Sequence, residues 1–382
     1  MKNYLEIFFI AFRLGCTSFG GPTAHLGYFQ KEYVQKKKWL TDQQYADLVA
    51  LSQFLPGPAS SQVGMGIGLI RGGIVGSILA FIGFTLPSVI FLICFALFLT
   101  NTTIDLNWIQ GLKLVAIAIV AQAIVDMSKK LLPTIHHVFI ALLALSAMLL
   151  FQTSWLQIII ILIAAITGQL ILKNRTVATT SMAFSKKMGI TCLSLFFGLL
   201  VLLPLLANTF QHDWLYLIEK FYMAGAFVFG GGHVVLPLLE TQFVETGLMS
   251  TSSFLAGYGI TQAMPGPLFT FATYIGTTLY GVSGGLLATF AIFLPAFLLI
   301  IGALPFWQVL STNAKLRGAV SGMNAAVVGI LAAAFITPIT WYTITSIKDV
   351  IFAVVLLLIV FLAKQPPIVT VIIGFIIGVV FY

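Results

Sequence analysis

Apolar residues run through this chain in long blocks, and the blocks are interrupted at recurring glycine and proline positions. Tyr4 to Phe19 is apolar and stops at Phe19-Gly-Gly-Pro22; Thr23 to Tyr33 is amphipathic and leads into Lys36-Lys37-Lys38-Trp39. Gln43 to Leu55 and Ala59 to Ile70 read as two short helices flanking Phe54-Leu-Pro-Gly-Pro58. Pro56 and Pro58 lack backbone N–H groups and push the preceding residues out of the α region, so no helix runs through them. Gly57 supplies the φ freedom for a tight reversal. Ile74 to Leu99, Trp108 to Met127, Val138 to Leu150 and Trp155 to Leu172 follow as predicted spans. Lys173 to Lys187 reads as a polar linker, and Gly189 to Leu206 as a further span.

The pattern then restarts. Trp214 to Phe229 ends at Gly230-Gly231-Gly232; Thr241 to Thr246 and Ser250 to Ala263 lead to Met264-Pro-Gly-Pro267; Leu268 to Leu279 follows. Ser283 to Leu304, Gly318 to Phe335, Val350 to Ala363 and Ile368 to Tyr382 complete the chain. The halves align with few gaps: Gly15, Phe19, Gly20 and Gly21 match Gly225, Phe229, Gly230 and Gly231, and Gln53, Pro56, Gly57 and Pro58 match Gln262, Pro265, Gly266 and Pro267. Gly68, Gly73, Gly76 and Pro87 match Gly276, Gly281, Gly284 and Pro295. Apolar matches mean little in such a chain; glycines, prolines and a glutamine in register mean duplication.

Composition sets the solvent. Of 382 residues, 59% are hydrophobic and only 8% charged, with a mean hydropathy of +1.06, far from the roughly 25% charged residues of a soluble domain. Several stretches approach the roughly 20 apolar residues that span a bilayer. The fold class expected is an all-α polytopic membrane protein in the cell (inner or plasma) membrane. The first apolar run holds Glu6 and Arg13 and lacks a small-residue cleavage site, so it reads as part of the mature fold. The net charge of +8 reflects basic loops, the positive-inside bias, and no nucleic-acid partner is expected. Cys16, Cys94 and Cys192 are far apart in apolar surroundings, which indicates neither a disulfide framework nor a metal site.

The basic loops also orient the halves. Lys36 to Lys38, Arg71, Lys129-Lys130 and Lys173 to Lys187 are expected in the cytoplasm, while Thr100 to Asn107 has no basic residue. In the second half the counterpart of the Thr100 loop carries Lys315 and Arg317, and the counterpart of Lys129-Lys130 carries none. The copies are therefore expected to be inverted-topology repeats, with broken, re-entrant helices meeting near the membrane midplane, as in secondary transporters. Residues 1–172 and 207–382 would be the repeats, and 173–206 a basic linker plus one connecting helix. Gln43 to Ile70 reads as a re-entrant hairpin with Pro56-Gly57-Pro58 at its tip. Tyr4 to Val34 reads as a second one turning at Gly20-Gly21, although a full span over Tyr4 to Phe19 stays open. Irregular backbone at membrane depth must be buried in protein or line a watery cavity.

Each break exposes a helix start, whose first N–H groups lack intrahelical partners and whose dipole end is positive. Such starts are anion sites. The candidate substrate-binding residues in the first half are Phe19, Gly20, Gly21, Pro22, Thr23, Gln53, Pro56, Gly57, Pro58, Ser60 and Ser61. Those in the second are Phe229, Gly230, Gly231, Gly232, His233, Gln262, Pro265, Gly266, Pro267 and Thr270. Hydroxyls of Thr23, Ser60, Ser61 and Thr270 would add donors. Arg13 stands seven residues before Gly20, about 10 Å along a helix; it either neutralises the anion or snorkels to the headgroups. Gln53 and Gln262 would contact substrate or tie hairpins together. His233 would pack by a hydrogen bond or serve as ligand or proton carrier, and His25, His136, His137 and His212 are expected at membrane interfaces. Asp47, Asp126 and Glu240 are proton-relay candidates, with simple pairing to a nearby base as the alternative for each. The sequence holds no HExxH, paired-aspartate, Walker or nucleophile-elbow motif, so no enzyme, catalytic residue, metal or cofactor is expected.

Ser18-Phe-Gly-Gly-Pro22 with Ala24-His25, Trp39-Leu40, and Ala50-Leu-Ser-Gln-Phe-Leu-Pro-Gly-Pro58 resemble motifs of the chromate ion transporter (CHR) family. Phe229-Gly-Gly-Gly232 with Val235-Leu-Pro237, then Gln262-Ala-Met-Pro-Gly-Pro267, resemble their second-half versions. The resemblance covers nearly the whole chain and implies the two-domain form, with homologous halves of opposite topology. It implies chromate efflux, with sulfate as the related oxyanion. His233 stands where that pattern carries an aromatic or apolar residue. The expected partners are a small oxyanion and the lipid bilayer, with a homodimer left open. A carrier of another small anion is the runner-up, followed by a cation or metabolite carrier on the same scaffold and then a channel.

Overall fold

The computed structural model describes residues 2–101, 107–151, 156–172, 185–363 and 365–382, and among these the chain forms helices and no strand. The first half runs α1 (Lys2–Thr17), α2 (Gly21–Phe29), a π-helical turn (Gln30–Lys36), α3 (Asp42–Phe54), α4 (Ala59–Asn101), α5 (Ile109–Leu131), α6 (Ile135–Leu150) and α7 (Leu156–Ile171). Then come α8 (Lys186–Phe210), α9 (Asp213–Phe227), α10 (Val235–Phe243), α11 (Thr251–Thr261), a 3-10 turn (Leu268–Thr270) and α12 (Phe271–Ala303). The end is α13 (Trp307–Thr312), α14 (Ala314–Ala334), α15 (Trp341–Thr343), α16 (Ile347–Phe361) and α17 (Pro367–Phe381). Among the described residues, five helical stretches are long and apolar enough to cross a membrane. The chain is an all-α polytopic membrane protein.

Local chemistry sets many of the boundaries. Thr41 and Gln44 form a capping box that starts α3, and Ser346 with Asp349 does the same for α16. α3 ends where Pro56 forbids continuation. α10 begins earlier than the sequence pattern indicates, at Val235 and not Thr241. Pro237 falls in its first turn, where the missing N–H would have no intrahelical partner anyway. The amphipathic run after Thr23 is not one helix: it changes into a π-helical turn at Gln30.

α4 and α12 each fold back on themselves. Gly72 and Gly73 leave helical geometry, with Gly73 at φ 62°; Tyr280 and Gly281 do the same, with Gly281 at φ 66°. Gly68 abuts the Gly76 carbonyl, and Gly276 abuts that of Gly284. Residues eight apart in a straight helix lie about 12 Å apart, so these contacts require a hairpin at each glycine. A side chain at any of the four would meet backbone.

Two compact units emerge, and each draws on both halves of the sequence. Met1–Cys94, Lys173–Gly232 and Pro265–Arg317 form the first. Within it, Gly15 lets α1 approach the Phe84 carbonyl of α4, and Gly225 lets α9 approach the Ile292 carbonyl of α12. The ion pairs Lys37–Glu6 at 2.7 Å and Arg13–Glu32 at 2.6 Å show that the chain leaving α1 returns alongside it through α2 and the π turn. Tyr4 to Val34 is therefore a hairpin whose ends lie together. Arg71 lies over the Trp39 ring at 5.1 Å, so α3 and the first leg of α4 also begin and end together.

The second unit comprises Phe95–Leu172, His233–Met264 and Gly318–Tyr382, and α5 is its centre. Gly111, at the start of α5, packs on Gly374 and Gly378 near the end of α17. Gly318 and Gly322, at the start of α14, pack on Ala164 and Gly168 near the end of α7. Small residues permit this backbone proximity, the usual means of helix association in lipid. Asp349 accepts from Gln110 Nε2 at 3.0 Å, from the Thr345 and Ser346 amides at 2.9 and 2.8 Å, and from the Tyr382 hydroxyl.

Candidate functional site

The four breaks in helical structure carry the candidate residues, and glycine makes each of them. Gly20, Gly21, Gly57, Gly230, Gly231 and Gly266 all have left-handed φ, from 74° to 137°, a region that a Cβ disfavours. Gly57 and Gly266 are the two proline-flanked tips. The Gly57 N–H donates to the Val228 carbonyl at 2.7 Å, and the Gly266 N–H donates to the Ser18 carbonyl at 3.2 Å. Val228 immediately precedes Phe229-Gly-Gly-Gly232, and Ser18 precedes Phe19-Gly-Gly-Pro22. One bond is thus made twice, with the halves exchanged. A Cβ on Gly232 would stand 3.1 Å from Leu268 and 3.6 Å from Pro22. The first unit therefore gathers all four breaks.

The helix starts at these breaks are bare. Gly20 before α2, Val234 before α10 and Pro267 before the 3-10 turn provide no side-chain cap. The tip amides are different: Gly57 and Gly266 spend their N–H groups on carbonyls, so their role is to shape the tip. The amides that lack intrahelical acceptors belong to the first turn after each tip.

Beside the first proline tip is a buried polar cluster. Ser60 and Ser61 are buried, as are Gln62, His25 and Ser18. His25 is 1% exposed; its Nε2 lies 3.1 Å from the Ser18 carbonyl and its Nδ1 3.3 Å from Ser60 Oγ. Gln62 Nε2 donates to the Pro56 carbonyl at 2.8 Å, which braces the tip. Ser61 Oγ, Ser18 Oγ and Gln62 Oε1 have no hydrogen-bond partner among the described residues. Buried polar atoms without partners are costly and need a reason. His25 was expected at a membrane interface; instead it is enclosed, because it sits in the first turns of α2, directly against α4. Its place five residues after Gly20 was the available sequence signal.

The other candidates divide. Phe19, Pro22, Pro56, Phe229 and Pro265 are half-buried, and Pro58 and Pro267 buried. The Thr270 hydroxyl donates to the Pro267 carbonyl at 2.7 Å, so its proton is already committed. Gln53 is exposed on α3. The side chain of Thr23 lies outside the described residues. Gln262 and His233 belong to the second unit: Gln262 is buried, its Nε2 without a partner among the described residues, and His233 Nδ1 lies 2.9 Å from the Tyr258 hydroxyl.

Arg13 is engaged. Its side chain is 56% exposed and grips the 7% exposed Glu32 carboxylate, whose second oxygen takes Lys36 at 3.2 Å. Burial pushes the Glu32 carboxyl up, but hydrogen bonds from Arg13 and Lys36 outweigh it and hold the group below the ordinary carboxylate range. Of the relay candidates, Asp47 and Glu240 are buried and Asp126 exposed. Among the described residues no group of three or more His, Cys, Asp or Glu side chains is placed to hold a metal ion. Within the first unit, the uncapped starts of α2 and of the 3-10 turn accompany the buried hydroxyls of Ser18, Ser60 and Ser61.

The chromate transporter family model matches residues 5–169 and matches again at residues 215–379. A probable chromate transport protein of Synechococcus elongatus is 30% identical, over 85% of this chain and 81% of its own. A chromate transport protein of Cupriavidus metallidurans is 28% identical, over 85% and 80%. An uncharacterized transporter of Methanocaldococcus jannaschii is 28% identical, over 86% and 83%. No solved structure matches.

Proposed function

The chain belongs to the chromate transporter family, and from that premise we propose that it exports chromate, binding the dianion at the helix starts beside its glycine and proline breaks. It is a multi-pass membrane transporter and not an enzyme. The observation that carries the binding reading is the reciprocal pair Gly57 to Val228 and Gly266 to Ser18. A hydrogen bond made twice with the halves exchanged supports a duplicated fold, residues 1–172 and 207–382, whose breaks converge on one place. The second unit gives parallel support for inverted repeats: the start of α5 packs on the end of α17, and the start of α14 on the end of α7. His137, just after α5, also bonds Ser321, near the start of α14, at 2.9 Å.

Convergent N–H donors hold a tetrahedral dianion by charge-assisted hydrogen bonds, without a fixed cation that would trap it. Such donors respond to charge and size, and chromate and sulfate share both, so sulfate is the expected competitor. The two halves would alternate access around the breaks. The test is uptake of radiolabelled chromate into inverted vesicles, where uptake corresponds to export. Saturable uptake reduced by excess sulfate is expected. Correctly inserted protein that moves no chromate in either direction would overturn the reading.

A further inference from the structure

His25 and Ser60 carry a consequence beyond binding. The Ser18 carbonyl can only accept, so the proton of a neutral His25 ring sits on Nε2. Nδ1 is then an acceptor, and the Ser60 hydroxyl must donate to it across 3.3 Å. In this state the Ser60 proton is turned away from the start of α4. If Nδ1 gains a proton, the direction of that bond reverses. His25 becomes donor to Ser60 Oγ, and the hydroxyl proton rotates free beside the first-turn amides of Ala59, Ser60 and Ser61, which have no intrahelical acceptor.

We propose that His25 is a proton-linked positioning residue: protonation at Nδ1 turns the Ser60 hydroxyl into a substrate donor, so that one proton and one oxyanion are bound together. This rests on the oxyanion reading above and adds its coupling ion. The balance is simple: Nδ1 takes one proton from water, no covalent bond to substrate forms, and the imidazolium offsets part of the dianion's charge. Coupling is reciprocal, so the anion raises the ring's affinity for the proton by the factor that the proton raises affinity for the anion.

The surroundings suit this role. The Ser18 carbonyl that holds Nε2 also accepts the Gly266 N–H, so one ring joins the first glycine break, the first proline break and the second proline break. Phe84 closes another side, with its ring centroid 5.3 Å away and nearly perpendicular. Other titratable groups on the packed elements are engaged or peripheral to the ring's contacts. On α1, Glu6 pairs with Lys37 and Arg13 with Glu32, and Tyr4 and Cys16 stand elsewhere along it; on α3, Asp42 accepts from Gln30, Asp47 from Gln43, and the Tyr45 hydroxyl donates to the Leu26 carbonyl. On α2 and the π turn they are Tyr28, Lys31, Glu32, Tyr33 and Lys36; on α4, Arg71 lies over Trp39 and Cys94 follows; on α12 they are Tyr274 and Tyr280. The hydrogen-bond partners of the ring are Ser18 and Ser60, so a change of protonation is felt there first.

The test measures chromate binding to purified wild type, His25→Gln and Ser60→Ala across about pH 6 to 8.5, from the ordinary histidine pKa upward. Glutamine can keep the donor to Ser18 but cannot titrate, and it provides the baseline for chromate's own protonation. Wild-type affinity should rise, relative to His25→Gln, by up to about tenfold per unit fall in pH, the ceiling for one linked proton. Ser60→Ala should lose most of that extra slope. Should the variants not fold, wild type alone decides: at the alkaline end free chromate carries no proton, so binding in weak buffer should draw protons from solution. Equal slopes in wild type and His25→Gln, or binding at the alkaline end without proton uptake, would overturn this proposal and leave the oxyanion reading intact. Wild type that binds no chromate at any pH would overturn both.

Discussion

The Gly57 amide donates to the Val228 carbonyl across 2.7 Å, joining the proline tip of one half to the residue that leads into the glycine break of the other. The matching bond from Gly266 to Ser18 means that neither tip is set by its own half alone. Shape at one break is transmitted to its counterpart through backbone, where side-chain substitution cannot compensate.

Gly57→Ala and Gly266→Ala are therefore expected to impair transport and weaken chromate binding. Their φ values are 111° and 101°. Added Cβ atoms would stand 3.2 Å from Ala296 and 3.1 Å from Ser88 Oγ. The cost should exceed the ~1 kcal/mol of backbone preference alone, because the tip must move. Gly76 and Gly284, which lie within spans in the sequence, are not neutral controls, since their hairpin partners leave no room. Gly198→Ala, in α8 with nothing within 4 Å, should be neutral or stabilising by up to about 1 kcal/mol. Binding isotherms and melting temperatures in detergent check this; tip variants that bind chromate as wild type does would move the site away from the breaks.

Topology follows from the loop charges. Cysteines placed at Lys36 and Ser250 in a cysteine-free background should label from opposite sides of the membrane, and those at Lys129 and Lys315 from the same side. Membrane-impermeant labelling of intact cells and inverted vesicles reads this directly. Labelling of Lys36 and Ser250 positions from one side would end the inverted-repeat reading.

Arg13 and Glu32 should behave as a pair. Arg13→Gln and Glu32→Gln are each expected to lower stability, and the double variant should fall short of the sum by about 0.5 to 1 kcal/mol, the range for a partly exposed ion pair. The Glu32 carboxyl is depressed in the folded state. Its stabilisation is complete above the ordinary carboxylate range and is lost as pH falls through the depressed value. Glu32→Gln should then show a shallower loss of melting temperature in acid than wild type. Additive losses and an unchanged acid limb would assign Arg13 to another partner, and a transport defect confined to Arg13→Gln would make that partner the substrate.

Asp349 should be a stability residue of the second unit. It collects donors from Gln110, Thr345, Ser346 and Tyr382, so Asp349→Ala leaves several of them unpaired. A loss of about 2–4 kcal/mol is expected, with chromate affinity of the remaining folded protein unchanged. Thermal melts and binding isotherms separate the two effects.

Much of this protein was written in local sequence. Composition alone demands a membrane, and glycine and proline impose the breaks at Gly20, Gly57, Gly230 and Gly266 wherever the chain goes, because φ preference and missing N–H groups act within a few residues. In-register matches between the halves point to a duplication for the same reason. Tertiary structure alone decided the partners of the polar groups that bond across the fold. It placed His25 inside the protein against Ser18 and Ser60, turned Arg13 onto Glu32, and built each compact unit from both halves. A hydrogen-bonding group in an apolar chain must find a partner, but the identity of that partner depends on which distant segment packs alongside. That choice is made by backbone approach at small residues such as Gly15, Gly68 and Gly225, which decides which helices lie side by side.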